Sequence, residues 1–227
     1  MSSPTPTGLT RPTKGGVGPA RGAKAIGRPI DTGKHDAIIE AASRAFFSQG
    51  YSQASIEGIA AEAGVSKVTV YNHFGGKPEL FQRAVEARCD SIRQRLIVDD
   101  WDGPIGERLR EFGHAMTEFL MKPEMIQFEI GLAAEAEREP ELGANFFAAG
   151  PKRLHSALAG LLERARDRGE LQFEDSEMAA EHLGAMFKGL TDLQRRMGLP
   201  ADPDRTARRI KSAVDLFLRA NGTGKAG

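Results

Sequence analysis

Residues 56–74 have the sequence IEGIAAEAGVSKVTVYNHF, and the spacing of a few small and apolar residues in this stretch decides the fold. Ala60 is small enough to let a second helix cross the first closely, and Gly64 permits the positive φ of a tight interhelical turn. Ser66 can cap the second helix, and Val70 can anchor it through a buried aliphatic side chain. Each of these residues alone is weakly diagnostic. The four together, at these spacings, predict a helix-turn-helix.

The second helix of this motif should expose a face that fits the major groove of DNA. Val70 points inward and Phe74 lies just beyond it, so most other side chains of residues 66–73 point outward. The candidates for contacts with base edges are Lys67, Val68, Thr69 and Asn72. The candidates for contacts with phosphates are Tyr71, His73, Lys77 and the free backbone N–H groups that follow Ser55. The alternative is a helical hairpin that contacts no DNA, with Lys67 and Lys77 as solvated lysines.

The rest of the chain also shows a helical pattern. From His35 onward, apolar residues recur at helical spacing, and no stretch of period-two alternation is bounded by hairpin turns. Gly150-Pro151 should bend or interrupt the helix expected over residues 140–168. The sequence therefore predicts an all-α fold of about nine helices, with an N-terminal three-helix domain and a larger helical domain behind it.

The N-terminal tail differs in composition from the rest. Residues 1–34 contain seven Gly and five Pro, and they carry six Lys and Arg against one Asp. Such a stretch is expected to be disordered, either as a solubilising tail or as a basic arm that meets a polyanion. Within it, Arg28 in Gly27-Arg28-Pro29 could enter the minor groove of DNA. The predicted domains are 1–34, 35–82 for DNA binding, 83–221 for effector binding and dimerisation, and a disordered 222–227.

Composition excludes several protein classes. One cysteine among 227 residues can form neither an intramolecular disulfide nor a cysteine-built metal site, so no metal or cofactor is expected. The absence of a long apolar run and of an apolar signal region predicts a cytoplasmic protein with no membrane contact. The whole chain has 31 basic and 31 acidic residues, so its net charge is zero. This neutrality does not argue against DNA binding, because residues 1–83 carry 10 basic and only 6 acidic side chains.

Longer stretches around the helix-turn-helix resemble a known family. From about Asp36 to Phe81, the sequence is similar to the N-terminal domain of TetR-family transcriptional regulators. The stretches that carry this resemblance are Ile38–Ala42, Gly50-Tyr51, Ala54–Ile56, Ala63–Lys67, Val70–Phe74 and Lys77–Leu80. The resemblance implies an all-α homodimer that binds a palindromic operator, with a C-terminal domain that dimerises and usually holds a small-molecule inducer. Residues 130–136 and 140–151 resemble the AefR-type C-terminal domain.

Two groups of apolar residues in the C-terminal half are candidate sites. The candidate lining of an effector cavity, unless core packing accounts for it, is Phe112, His114, Met116, Phe119, Phe128 and Phe147. The candidate dimer interface, unless it is an intramolecular core, is Leu183, Phe187, Leu190, Ile210, Val214 and Phe217. Glu111 and His114 have the spacing of a helical di-iron ligand pair, but no second Glu-x-x-His accompanies them.

The sequence as a whole predicts a DNA-binding transcriptional regulator and not an enzyme. Its expected partners are a double-stranded DNA operator, a second copy of the chain, and a small apolar or amphipathic effector. One alternative is a helical enzyme or small-molecule carrier with a vestigial DNA-binding domain. Another is an architectural DNA-binding protein with no effector.

Overall fold

The computed structural model describes residues 32–96 and 103–224, so the predicted minor-groove contact Arg28 and the terminal segments 1–31 and 225–227 lie outside the described residues. Within the described residues, the chain forms ten helices and no β-sheet. They are α1 Thr32–Gln49, α2 Ile56–Glu62, α3 Lys67–Phe74, α4 Lys77–Leu96, α5 Ile105–Leu120, α6 Pro123–Ala136, α7 Pro140–Ala149, α8 Pro151–Asp167, α9 Ser176–Arg196 and α10 Pro203–Asn221.

The predicted all-α class is confirmed. The described residues form ten helices, one more than the nine expected, because the helix predicted over residues 140–168 is divided in two. The interruption lies at Gly150-Pro151, as predicted, and it separates α7 from α8. A proline ring prevents continuation of the preceding helical hydrogen-bond ladder, and Gly150 adopts non-helical dihedrals of φ −114° and ψ −88°. None of the helices in the described part of the chain is long and apolar enough to cross a bilayer.

The helix-turn-helix forms as the sequence predicts. Ser55 Oγ accepts a hydrogen bond from the backbone N–H of Gly58 at 3.0 Å, which caps α2. Ser66 Oγ accepts from the N–H of Thr69 at 3.1 Å, which caps α3. Between them, Gly64 has a φ of +67°, a conformation that costs glycine little because it has no Cβ. The caps and the turn thus fix where α3 begins.

A first hydrophobic cluster, here called the N-terminal core, joins the helix-turn-helix to the helices behind it. It contains buried residues of α1 to α4 together with residues of α6 and α7. Phe81 of α4 is fully buried, with its ring centroid 5.2 Å from Phe46, 5.1 Å from Tyr51 and 6.1 Å from Phe128. Because Phe128 belongs to α6, the aromatic packing ties the helix-turn-helix region directly to the C-terminal half.

A second cluster, here called the C-terminal core, is built from α5, α8, α9 and α10, and it corrects most of the predicted dimer interface. Among the predicted interface residues, those buried in this core are Leu183, Phe187, Ile210, Val214 and Phe217. Their side chains pack within one protomer and are not available to a partner. Helical periodicity identifies an apolar face but not the helix that covers it, which is why the sequence could not distinguish the two cases.

Leu190 is the predicted interface residue that stays exposed, at 67 % of its surface, because α9 is kinked one residue earlier. Gly189 has φ 52° and ψ −156°, and Arg209 of α10 holds the kink. The Arg209 guanidinium donates from Nε to the carbonyl of Phe187 at 2.9 Å and from Nη1 to Thr191 Oγ1 at 2.6 Å. The kink turns the C-terminal third of α9 away from the line of its first part.

Gly189→Ala is expected to lower the free energy of unfolding by about 1–3 kcal/mol, because this φ/ψ region is almost restricted to glycine. An added Cβ would also lie 2.7 Å from Cδ of Arg209, whose position is fixed by two hydrogen bonds. Urea unfolding followed by circular dichroism measures the change. Gly184→Ala on the same helix is the matched control, since its Cβ meets no atom within 4 Å. That control should gain about 0.5–1 kcal/mol, and equal losses in both variants would contradict the prediction.

Candidate nucleic-acid interface and internal cavity

The exposed face of α3 carries most of the predicted base contacts. Val70 and Phe74 are buried at 1 % and 8 % exposure, and they fix the helix on the N-terminal core. Val68 and Tyr71 are 66 % and 43 % exposed although both are largely apolar. Lys67 and Asn72 are also exposed, while Thr69 and His73 are half-buried. An outward face with solvated apolar and hydrogen-bonding groups has the composition that a major groove can contact.

Lys67 is engaged by a neighbouring carboxylate in this structure. Its Nζ pairs with Glu57 on α2 and also lies 5.8 Å from the ring centroid of Tyr71. The hydrogen bond to Lys67 holds the pKa of Glu57 below its usual value, and the same bond raises the pKa of Lys67. Both groups are therefore charged at neutral pH. A contact between Lys67 and a base edge would have to replace its pairing with Glu57.

The predicted phosphate contacts lie around the start of α2 and the junction of α3 with α4. Ser55 is exposed, with its hydroxyl oxygen used as the α2 cap. Lys77 is half-buried: its Nζ donates to the carbonyl of Ser52 at 3.2 Å and lies 4.6 Å from the ring centroid of Tyr51. Burial lowers the pKa of Lys77. This lysine thus holds the α1–α2 loop against α4, whatever else it contacts.

The same loop is in contact with α6. Glu135 of α6 accepts a hydrogen bond from the backbone N–H of Ser52 at 3.4 Å. Burial, and secondarily the nearby Glu139, raise the pKa of Tyr51. Because α6 also packs on α1, the end of the helix-turn-helix that carries Lys77 is joined to the C-terminal half by polar as well as apolar contacts.

A cavity of about 690 Å³ lies where the two cores meet, a volume in the range of drug-sized ligand sites. Its walls include Phe47 of α1, Val85 of α4 and Leu158 of α8. The predicted effector residues that line it are Phe112, Met116, Phe119 and Phe147. The cavity therefore touches α1 and α4, the two helices that support the helix-turn-helix.

Two predicted cavity residues lie elsewhere, and the structure corrects them. Phe128 packs inside the N-terminal core, with its ring centroid 4.5 Å from Phe47 and 5.5 Å from Phe146. His114 is exposed on α5. It stands two residues from both Phe112 and Met116, which is about 200° around the helix from each at 3.6 residues per turn. The face that carries the two apolar residues therefore excludes His114.

The cavity also has polar and charged wall residues that the sequence did not indicate. They are Arg88, Glu129, Lys152, His155, Glu181 and Lys188. The Arg88 guanidinium lies 5.8 Å from the ring centroid of Phe47 and 5.9 Å from that of Phe119. The single cysteine, Cys89, is buried and forms part of the wall, and burial raises the pKa of its thiol to about 11.

Two family models match the chain. Residues 38–84 match the model of bacterial regulatory proteins of the tetR family, and residues 107–223 match the AefR-like transcriptional repressor C-terminal domain. The chain belongs to the TetR family. It is a helix-turn-helix transcriptional regulator, and the resemblance found in its sequence is confirmed in both halves.

Relatives of known sequence or structure resemble this TetR-family chain over most of its length. The uncharacterised HTH-type transcriptional regulator YezE of Bacillus subtilis (strain 168) is 29 % identical over 80 % of this chain and 92 % of its own. The structure of the flavonoid-responsive regulator FrrA is 31 % identical, covers 84 % of this chain and 98 % of its own, and has a TM-score of 0.68. A TetR transcriptional regulator from Agrobacterium tumefaciens is 25 % identical, with coverages of 85 % and 96 % and a TM-score of 0.68.

This TetR-family regulator also exposes large apolar residues at its last two helices that, apart from Leu190, lie outside the predicted interface. Its exposed residues on and just after the kinked part of α9 and on α10 are Leu190, Leu193, Met197, Leu199 and Leu216. Large apolar side chains concentrated on one region of a protein often mark an interaction surface. Leu190 is the member of this set that had been predicted, and on α9 it lies directly after the kink at Gly189, which Arg209 of α10 holds.

Proposed function

We propose that this TetR-family regulator binds a palindromic operator as a homodimer and represses transcription until a small apolar or amphipathic effector enters the cavity. The observation that carries the proposal is the position of the cavity, whose wall includes Phe47 of α1 together with Val85 and Arg88 of α4. α4 packs on α3, so a ligand that moves α4 moves the DNA-contacting face with it. The name of FrrA, a flavonoid-responsive relative, supports a small organic effector.

In this proposal the DNA contacts are divided by chemistry. Base edges are contacted by Lys67, Val68, Thr69 and Asn72. Phosphates are contacted by Ser55, Tyr71, His73 and Lys77, and Arg28 enters the minor groove. Two recognition helices must sit one helical turn of DNA apart, so a displacement of a few ångströms at α3 would break several contacts together.

Dimerisation is assigned to the exposed face of α9 and α10 in place of the buried residues first predicted. Leu190, Leu193 and Leu216 are 67 %, 57 % and 49 % exposed, and burying them against a second copy would be favourable. Residues 35–82 would then form the DNA-binding domain, and residues 83–221 the effector and dimerisation domain. A regulator with these partners would act in the cytoplasm.

Mobility-shift titration against the DNA upstream of its own gene tests the central proposal. We expect tighter binding to that DNA than to a scrambled duplex, at a stoichiometry of two chains per site. Equal affinity for both duplexes, or a monomer in light scattering at the concentrations that shift the DNA, would contradict it.

Lys67→Ala and Lys77→Ala should have different effects on DNA binding. Lys67 is assigned to a base edge, so its loss should change the order of preference among operator variants by about 1–3 kcal/mol. Lys77 is assigned to a phosphate, so its loss should weaken all variants alike and reduce the salt slope by about one. Fluorescence anisotropy over a set of single-base operator variants measures both effects. Parallel losses in the two variants would contradict this division.

Removal of residues 1–34 should weaken DNA binding and flatten its salt dependence. That segment carries a net charge of +5, and each phosphate contact that is lost lowers the salt slope by about 0.9. Titrations at several salt concentrations with the full chain and the truncated chain make the comparison. An unchanged slope would show that the tail makes no contact with DNA.

A further inference from the structure

An arginine is part of the largely apolar wall of the cavity. Arg88 of α4 is half-buried, so part of its side chain is accessible. Its guanidinium carbon lies 5.8 Å from the ring centroid of Phe47 and 5.9 Å from that of Phe119. Because a guanidinium has five N–H donors in one plane, the same side chain can contact aromatic rings and donate two parallel hydrogen bonds to a carboxylate. Such a pair of charges attracts more strongly in apolar surroundings than in bulk water.

Three other charged residues of the wall are exposed to solvent. Lys152 of α8 pairs with Glu177, which lies outside the wall, at 2.7 Å. Glu181 and Lys188 have opposite charges and lie two turns apart on α9. Since water and salt screen charges at exposed positions, these residues contribute little to the charge inside the cavity.

The half-buried wall residues near Arg88 in burial do not oppose an anion. The carboxylate of Glu129 already accepts hydrogen bonds from Arg195 at 2.8 Å and from Arg196 at 3.3 Å, and these two cations compensate its charge. His155 is either neutral or positive, so it adds no negative charge at any pH. The inner part of the wall therefore favours a negative group beside the guanidinium.

The rest of the lining favours an apolar ligand body. Phe112, Met116 and Leu158 are buried residues that form part of the wall. On α9, Gly184 also lines the cavity, and a Cβ added there would meet no atom within 4 Å. This open space can hold an apolar group, whose removal from water is favourable. A ligand that fits both parts of the cavity has an apolar body and one anionic group.

We infer that the cavity binds hydrophobic monocarboxylates, with the ligand carboxylate paired to Arg88 and the apolar body packed against Phe112, Met116 and Leu158. The inference rests on the proposed function in that it takes this cavity as the effector site, and it names the class of effector. A neutral compound of the same shape forms no bond between opposite charges with the guanidinium, and a cationic amphipath is repelled by it.

Isothermal titration of the full-length protein at neutral pH with matched ligand pairs tests the inference. Each pair consists of a carboxylate and its primary carboxamide, for example a biphenylcarboxylate with its carboxamide and octanoate with octanamide. The carboxamide keeps the shape and a hydrogen-bonding oxygen but has no charge. We expect the carboxylate of a pair to bind about tenfold more tightly, because a hydrogen bond between charged groups is stronger than one to a neutral oxygen.

Variants of Arg88 assign the preference to its guanidinium. Arg88→Met keeps an apolar stem, so it should abolish the preference for the carboxylate and retain the affinity for the carboxamide. Arg88→Lys keeps the charge without the planar fork and should keep part of the preference, which preserves the test if the methionine variant folds poorly. Lys188→Met removes an exposed charge of the wall and should lower the carboxylate affinity less than Arg88→Met does.

The matched control is Arg83→Met on the same helix. The Arg83 side chain is 62 % exposed and lies outside the residues that line the cavity. This variant should bind both members of each pair as the wild type does. Equal losses of carboxylate affinity in Arg83→Met and Arg88→Met would show a general effect of net charge and contradict the direct pair.

Three further results would overturn the inference: equal affinity within the pairs, a preference that survives in Arg88→Met, or no binding of any carboxylate. Operator release, measured in parallel, separates this inference from the proposed function. A carboxylate preference that depends on Arg88 but brings no DNA release would leave the ligand class standing and reject the effector response. DNA release by carboxamides and carboxylates alike would overturn the ligand class and leave the effector response standing.

Discussion

Phe81→Ala is expected to lower the free energy of unfolding by about 3–5 kcal/mol, among the largest effects of any single substitution in this chain. Phe81 is fully buried, and its ring contacts Phe46, Tyr51 and Phe128 from three different elements. Truncation would leave a cavity that the surrounding residues of α1, the α1–α2 loop and α6 could close only in part, so most of the lost contacts would not be recovered. Chemical unfolding followed by circular dichroism measures the loss.

The same substitution should also disconnect the DNA-binding region from the C-terminal half. Phe81 links α4 with α1 and α6. We therefore expect the Phe81→Ala variant to lose most of its operator affinity at denaturant concentrations near the midpoint of its unfolding. Val68→Ala provides the contrast, since Val68 is 66 % exposed on α3. That variant should keep the wild-type unfolding midpoint and lose operator affinity. A fall in stability with Val68→Ala, or none with Phe81→Ala, would contradict the assigned roles.

Glu129→Leu is expected to lower the free energy of unfolding by about 2–4 kcal/mol, because it would remove the hydrogen-bonded carboxylate of the buried Arg195 and leave it the more distant Asp192, at 3.5 Å from Nε. Glu129 of α6 accepts from Arg195 Nη2 at 2.8 Å and from Arg196 Nη2 at 3.3 Å. The Arg195 side chain is only 3 % exposed, so water cannot replace the lost carboxylate. Thermal and urea unfolding measure the loss.

A second substitution distinguishes the buried charge from the loss of packing. Adding Arg195→Met to Glu129→Leu removes the buried charge that has lost its hydrogen-bonded carboxylate, and it should recover much of the stability lost in Glu129→Leu. Glu40→Leu is the surface control: Glu40 is 74 % exposed and pairs with Arg44, so no measurable change in the unfolding midpoint is expected. Additive losses in the double variant would contradict the role of the pair.

Glu129 also has a place in the proposed response to an effector. Its side chain is part of the cavity wall, and through Arg195 and Arg196 it joins α6 to the C-terminal end of α9. A ligand that contacts Glu129 therefore contacts the same element that carries Glu135 to the α1–α2 loop. One helix, α6, connects the cavity with both the DNA-binding region and the exposed apolar face.

The helix-turn-helix was predictable because its determinants are local. A serine caps α2 from three residues away, Gly64 needs only its own φ, and the inward position of Val70 follows from helical spacing. The break at Gly150-Pro151 was predictable for the same reason, since proline acts on the backbone of its own turn. None of these features depends on a residue far along the chain.

The cavity and the exposed face were predictable only in part. Helical spacing identified Phe112 and Met116 as one apolar face, but it could not show that α1 and α4 provide the opposite wall. His155 is an ordinary polar residue of α8 in the sequence. Only the tertiary structure places it in the cavity wall and brings Glu177, 22 positions later, within 3.1 Å of it.

The sequence by itself determined the helices, their caps and the outward face of α3, because each depends on contacts within about four residues of one another. Tertiary structure alone decided which apolar faces are covered. It buried Leu183 and Ile210 within the protomer, exposed Leu190 through a kink held by Arg209 of another helix, and placed His155 rather than His114 in the cavity wall. These outcomes depend on which helices meet, and a pattern along one helix carries no information about its neighbours.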